Sequence, residues 1–330
     1  MHLLEKSILH HIRLRQLLQP GHRLLLAVSG GPDSMALLAA THALRHLLRL
    51  DLAIAHCNFG LRGEESQLDE TFVKQEAARR GITCHIRSFD TRREAVGSKR
   101  SIEETARLLR YRWFHELIRE HGYDRMATAH HAGDNAETML FNLVRGSSPS
   151  GLHGIRSHNG LIIRPMLHLR RSDITTYLHA TATPSRHDSS NDTIDHDRNF
   201  IRHRVIPLFE QRFPHKLLPA LQRLAEQAGE LDDFLANHID ARCNQDPGLR
   251  LTNHRIATDS LRQLTPFEQK ELFKRLLHQL GQSVDAAILQ RLCQLIELQP
   301  GKTIDARNGF NVTRERHHLH FNISDPPFQE

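Results

Sequence analysis

Apolar runs at residues 24–28, 52–55, 83–87 and 126–129 are separated by stretches whose leucines and alanines recur at helical spacing. Strands that alternate with helices predict an α/β fold built on a parallel sheet with crossover helices. Sheets of this kind bind ligands just beyond the carboxyl ends of their strands. Residues 29–34, 56–62, 88–93 and 130–137 occupy those places and hold most of the polar side chains suited to chemistry, so they should converge on one site. After Leu143 a Gly/Ser/Pro-rich loop at 145–152 leads to a short strand at 161–164 and a helix starting at Arg171. Leucines at helical spacing over 216–243 predict one long helix. Farther on, 266–280 is amphipathic and 309–323 alternates like an edge hairpin. These changes of pattern divide the chain into a first domain at 1–215, a helical linker at 216–245 and a small α+β domain at 246–330.

Bulk properties narrow the class. At 330 residues the chain is long enough for two domains and a large core. No stretch approaches the roughly 18 apolar residues that span a bilayer. Glu5, Lys6, Arg13 and Arg15 stand where a secretory signal has its apolar run, so a cytoplasmic location with no membrane partner is expected. A formal net charge of +6 suits an anionic macromolecular partner, since basic proteins gain affinity for nucleic acid by releasing its counterions. Cys57, Cys84, Cys243 and Cys293 are far apart and include no Cys-x-x-Cys pair, which points to ordinary reduced thiols. The 26 histidines contain no His-Glu-x-x-His pattern, and His318 and His320 fit one wet face of a strand.

The sharpest motif is Ser29-Gly30-Gly31-Pro32-Asp33-Ser34, between the first strand and a helix. Two glycines let backbone N–H groups turn toward an anion, the helix N-terminus adds partial positive charge, and Ser29 and Ser34 add hydroxyls. It lacks the Gly-Lys-Ser/Thr ending of the other common phosphate loop. The alternative is a plain cap in which Asp33 or Ser34 satisfies free N–H groups. Asp134 and Glu137 lie three apart at the start of a helix and could hold Mg²⁺ or a substrate amine, or could serve as N-cap and capping-box partner. Ser101 reads as the cap of a helix in which Glu103 and Arg107 form a surface pair, while Arg110 has no carboxylate three or four residues before it and is open to phosphate. Arg198 and Arg202 are four apart and could grip an anion from one helix face.

Taken in order, Ser29 to Ser34, His56-Cys-Asn-Phe-Gly-Leu-Arg62, Ala106-Arg-Leu-Leu-Arg-Tyr111, Ala127-Thr-Ala-His-His131 through Glu137-Thr138, Arg145-Gly146 with Gly151-Leu-His-Gly-Ile155, Arg164-Pro165, Asp188-Ser-Ser-Asn191 and Arg198-Asn199-x-x-Arg202 resemble the tRNA(Ile)-lysidine synthetase family of the N-type ATP pyrophosphatases. The resemblance covers about residues 20–215 and, loosely, 252–323. It implies a PP-loop ATPase domain of the adenine nucleotide alpha hydrolase-like type, followed by a helical linker and a small C-terminal tRNA-binding domain. The implied reaction joins L-lysine to C2 of the wobble cytidine of a tRNA(Ile) with a CAU anticodon, releasing AMP and pyrophosphate and changing decoding from AUG to AUA. ATP and Mg²⁺ are the implied cofactors, and a homodimer is the implied assembly. Ser29, Gly30, Gly31, Pro32, Asp33 and Ser34 would bind ATP; Asp33, Arg110, Asp134 and Arg202 would act in catalysis, with Asp33 and Asp134 on the metal; His131, Asp134 and Glu137 would receive lysine or complete the metal site. Two positions depart from the family pattern: Gly133 replaces the first aspartate of an Asp-Asp pair, and Phe59 replaces a histidine. The competing readings are a tRNA thiolase, which would want paired cysteines, and an RNA-binding protein that keeps ATP as a structural ligand.

Overall fold

Leu24, Leu25 and Leu26 are wholly buried at the centre of β1 (Arg23–Ala27). Successive strand side chains point to opposite faces, so a strand apolar on both sides has to be covered on both. Leu24 and Leu26 enter a core with Leu4, Ile8, Met35 and Leu38, whereas Leu25 packs with Ala53, Ala55, Trp113 and Phe114. The computed structural model describes residues 1–147, 149–186, 197–305 and 310–322.

The first unit, Met1–Gly229, carries α1 (Leu3–Leu14), β1, α2 (Pro32–Leu48), β2 (Asp51–Asn58), α3 (Glu64–Arg80), β3 (Thr83–Ser88), α4 (Thr91–Ser98), α5 (Ile102–His121), β4 (Arg125–Ala127) and α6 (Ala132–Val144). A 3-10 turn (Pro149–His153), β5 (His158–Asn159), β6 (Ile162–Ile163), α7 (Arg171–Ala180), α8 (Asp197–Phe200), a π-helical turn (Ile201–Val205) and α9 (Ile206–Arg212) follow. Its sheet has the order β3-β2-β1-β4-β6-β5, parallel except for the β5–β6 pair. Register places Leu24 of β1 beside Leu52 on one side and Arg125 on the other. The connections leave β1 in opposite directions along the sheet, and such a reversal opens a crevice at the strand ends. The phosphate-loop motif follows β1 and the His130–His131 segment follows β4, so both border that crevice.

The long helix α10 (Leu217–Gln245) contains the division between the two units, Gly229 and Glu230. The second unit, Glu230–Glu330, has an antiparallel sheet of order β7-β10-β9-β8, formed by β7 (Arg255–Ala257), β8 (Thr303–Asp305), β9 (Asn311–Arg314) and β10 (His318–Asn322), with α11 (Thr258–Arg262), α12 (Pro266–Gln279) and α13 (Ala286–Glu297). Leu319 and Phe321 of β10 are wholly buried against Phe273 and Leu292, while His318 is exposed and His320 partly so, as the alternation requires. Residues 309 and 323 of the expected hairpin lie outside the described residues. Among the described residues no helix is long and apolar enough to cross a membrane.

Between α1 and the approach to α7 the rings of His11 and His168 stack at 4.4 Å, and His168 Nε2 lies 2.8 Å from Ser7 Oγ. Burial holds His11 down at about 3 and His168 at about 4, with neighbouring positive groups adding to the effect. The unfolded chain takes up protons at these histidines below about pH 6.5 while the folded chain does not, so stability falls as pH drops from there toward about 4. Each ring adds a slope of at most about 1.4 kcal/mol per pH unit. Thermal melts between about pH 7.5 and about pH 5 should show this decline, and a His168→Gln chain should show a shallower one; an equally steep decline in the variant would refute the assignment.

Candidate active site

The phosphate loop is closed on itself by its serines. Gly30 adopts φ +96°, a region that side-chain-bearing residues rarely enter, and a Cβ there would stand 3.4 Å from Phe72 and 3.5 Å from Val73 of α3. Gly31 caps α2 and Pro32 occupies its first turn, where a missing N–H is harmless. The buried Ser34 hydroxyl accepts from the N–H groups of Ser29 and Gly30, each at 3.2 Å, and donates to Gly31 O at 2.9 Å. Ser29 Oγ accepts from Gly31 N at 3.4 Å. Both hydroxyls therefore occupy the loop donors that the sequence reading assigns to an anion.

Asp33 stands in the first turn of α2 with Oδ1 buried and, among the described residues, without a hydrogen-bond partner. Burial raises its pKa above the usual carboxylate range; His131 opposes that shift and Asp134 adds to it. The lone acceptor and the second carboxylate nearby fit a cation, so the residues present suit the Mg²⁺ that the resemblance implies.

At the start of α6 the N-cap is His131, not Asp134 as the capping alternative has it. His131 Nδ1 accepts from Gly133 N at 3.0 Å, and Asp134 Oδ2 accepts from His131 N at 2.9 Å. Acceptance at Nδ1 assigns the ring proton to Nε2, which lies 3.9 Å from Asp33 and 3.7 Å from Asp134. The ring folds back because position 133 is glycine: a Cβ there would stand 2.7 Å from His131 Cε1. Glu137, one turn on, is buried and accepts Arg202 Nε at 2.6 Å and Nη2 at 2.9 Å, while Asp134 Oδ1 accepts Nη2 at 3.1 Å. Burial raises the Glu137 pKa, and the paired guanidinium works against that rise.

Arg202 thus meets carboxylates in this structure, and Arg198, four residues earlier, turns toward the same helix α6. Arg198 lies 5.5 Å over the Phe141 ring, one turn past Glu137 on α6, and the π-helical turn that carries Arg202 has a bond from Ile206 N to Ile201 O. Pro207, just past that turn, has no N–H to extend an α-helical ladder. Arg110 sits on α5 over Phe59, 5.1 Å from the ring centre, and Phe59 stacks on Phe89 at 5.6 Å. The aromatic ring that replaces the family's histidine therefore serves as a platform for this arginine. Ser101 does cap α5, accepting from Glu104 N at 3.1 Å, but Arg107 lies 5.3 Å over Tyr111 rather than on Glu103. The Asp188 to Asn191 motif lies outside the described residues.

A cavity of about 150 Å³ opens in front of the loop, lined by Ser29, Gly31, Pro32, Asp33 and Ser34 together with His131 and Arg202. Arg62, Asp69, Arg171 and Arg186 complete its wall, and sequence reasoning gave none of these four a role. Arg62 carried a signal, since it follows the end of β2, where ligands of parallel sheets are bound. Arg110, Asp134 and Glu137 are not among the lining residues.

Beside α6, Asn135 Oδ1 accepts from Ile155 N at 2.6 Å and Asn142 Nδ2 donates to Gly151 O at 2.8 Å, which ties down the Gly-rich loop. Gly154 has φ +62°, and a Cβ there would collide with Asn135 Oδ1 and stand 2.8 Å from Met139 Cγ. Gly154→Ala should therefore destabilise the unit by about 1–3 kcal/mol, read as a lower urea midpoint. An unchanged midpoint would show that the loop does not depend on this contact.

A family described as a PP-loop domain matches residues 5–209. A solved U34-tRNA thiolase, NcsA from Methanococcus maripaludis, has a related fold, with a TM-score of 0.55 and 16% identity over 68% of this chain and 78% of that one. Together with the strand order and the loop after β1, these findings define an ATP-utilising protein of the PP-loop class. The chain is 47% identical to the tRNA(Ile)-lysidine synthase of Chlorobaculum tepidum over 323 residues, 98% of each chain, and 36% identical to that of Bacteroides thetaiotaomicron over 96% of this chain and 71% of that one. It belongs to the tRNA(Ile)-lysidine synthase family.

Proposed function

We propose that the chain joins L-lysine to C2 of the wobble cytidine in the CAU anticodon of tRNA(Ile), with conversion of ATP to AMP and pyrophosphate. The near full-length similarity to lysidine synthases supports the reaction as a whole. The observation that carries its chemistry is the cluster of Asp134, Glu137 and Arg202 beside the phosphate loop.

In the first step the cytosine C2 oxygen attacks the α-phosphorus of ATP and pyrophosphate leaves. In the second, the lysine side-chain nitrogen bonds to C2, and the C2–O bond breaks as AMP departs with that oxygen. The amine must first lose a proton, because an ammonium has no lone pair to offer. Arg202 and Arg110 are the candidates for steadying charge on the α-phosphate and the adenylate. Glu137 and Asp134 already hold a guanidinium in this structure, so the pair has the charge and geometry to receive an ammonium. His131 fixes the start of α6 and faces both Asp33 and Asp134. Asp33 and Asp134 would hold Mg²⁺, which supplies charge neutralisation on the nucleotide phosphates.

The wobble base has to leave its stack to be reached, which suits a cleft beneath the loop at 145–155. The second unit would read the tRNA body through shape and backbone, as proteins commonly read folded RNA. Two copies acting together, as the family resemblance implies, and the cytoplasmic location expected from the charged N-terminal segment complete the reading. A sulfur-transfer reaction fits less well: burial pushes the Cys57 thiol up to about 12 and Cys84 to about 11, far from a reactive thiolate.

The deciding experiment supplies radiolabelled L-lysine, ATP and Mg²⁺ with unmodified tRNA(Ile), using tRNA(Met) as control and following AMP release. Label on tRNA(Ile) alone, with matching AMP, is expected. ATP cleavage without lysine transfer would overturn the nucleophile and leave the PP-loop class intact.

A further inference from the structure

Asp69 is a buried carboxylate that the reaction derived above leaves unused. It projects from α3, the helix whose Phe72 and Val73 back the phosphate loop at Gly30. Two arginines converge on it from separate parts of the unit: Arg62 Nη2 donates to Oδ2 at 2.5 Å, and Arg186 Nε donates to Oδ1. Arg186 is fastened a second time, by its own N–H donating to Gly30 O of the phosphate loop at 2.9 Å. Both arginines line the cavity in front of that loop, as do Arg171 and Arg202. Arg202 is already paired with Glu137 and Asp134, and among the other lining groups Arg62, Arg171 and Arg186 outnumber Asp33 and Asp69, which favours an anion in front of the loop. A carboxylate shared between two guanidiniums also fixes their planes, the preorganisation that phosphate recognition by arginine exploits.

We infer that Asp69 is the positioning residue of a clamp whose jaws, Arg62 and Arg186, take the β- and γ-phosphates of ATP and hold them as pyrophosphate after cleavage. The inference rests on the proposed use of ATP and not on the identity of the nucleophile. As the cytosine oxygen bonds to the α-phosphorus, the bond from that phosphorus to the bridging oxygen breaks. The electron pair goes to the pyrophosphate oxygen, and the clamp faces the charge that develops there. Release of pyrophosphate would then compete with its retention by Arg62 and Arg186.

The test measures equilibrium binding of inorganic pyrophosphate and, separately, of AMP to the full chain and its variants. Arg186→Gln is expected to weaken pyrophosphate binding about tenfold or more and to leave AMP binding within about twofold. Asp69→Asn should act in the same direction, and Asp69→Glu should recover part of the loss. Unchanged pyrophosphate affinity in Arg186→Gln, or equal weakening of AMP and pyrophosphate, would overturn the clamp. Should Asp69→Asn fail to fold, Arg186→Gln alone decides, since it leaves the buried carboxylate paired with Arg62. Lysine incorporation by the unsubstituted chain is followed in parallel: its failure would refute the proposed reaction, while the two binding arms still judge the clamp.

Discussion

Replacing Asp33 by asparagine is expected to lower turnover by about two to three orders of magnitude while leaving the chain as stable as before, or more so. The two halves of that expectation have one cause. Asp33 Oδ1 is buried without a hydrogen-bond partner among the described residues, and burial raises the pKa of the group, so the folded protein bears a desolvation cost for keeping a charge there. A carboxyl raised in this way contributes stability only where it is protonated, and that contribution is lost as pH rises through its folded-state pKa. At neutral pH the ionised form is therefore a burden on folding, which a neutral amide of the same size removes. Such a burden is understandable at a site that a cation on the nucleotide phosphates would occupy. AMP release with tRNA and lysine measures the first half, and a thermal melt of the same preparation measures the second. Turnover within about tenfold of the parent would exclude Asp33 from the chemistry.

Glu137→Gln should separate the two chemical steps. Glutamine keeps the volume but not the charge, so Arg202 loses its two-oxygen partner and keeps only Asp134. Pyrophosphate release should continue at a rate close to that of the parent, whereas the lysine concentration needed for half-maximal incorporation should rise by about tenfold or more. Stability should fall by about 1–3 kcal/mol, the range for a charged group losing one partner; Arg202 retains some contact with solvent, which keeps the figure below that for a fully buried pair. Titrating lysine while following both products makes the comparison directly. A parallel loss of pyrophosphate release and lysine transfer would move Glu137 from the amine to the phosphates.

What the sequence made legible was local. Ser29 to Ser34 could be read because a buried strand, two glycines and a helix start are adjacent in the chain, and Asp134 with Glu137 because a spacing of three puts both on one helix side. The partnership of Glu137 with Arg202 is not local, and nothing in either segment names the other. Arg198 and Arg202 do turn toward one side of α6, to Phe141 and Glu137, but their spacing alone did not say that carboxylate and ring, rather than an anion, would meet them there. Asp69 was hidden differently. On α3 the buried positions Ser66, Asp69, Val73, Glu76 and Ala77 have helical spacing, but three of the five are polar, so a search for an apolar stripe sees only a solvated helix. The strands of the first unit stood out because their runs are apolar, and β6 falls within the short strand read at 161–164, while β5 is too short to leave a pattern.

The pairing of β1 with β4 also governs when the protein can acquire its ligand. Leu24 lies beside Arg125, and the backbone N–H of Arg23 donates to Asp124 at 2.7 Å, so a long loop of chain must close before these neighbours meet. The segment after β1 supplies one wall of the site and the segment after β4 the other, with Arg186 and Arg202 arriving later still. A nascent chain that has emerged only as far as α5 possesses the phosphate loop but no site. Contacts of such separation form slowly and together. Nucleotide therefore has little to hold until the whole first unit has closed, and its stabilising effect should fall on the finished fold rather than on any intermediate that precedes it.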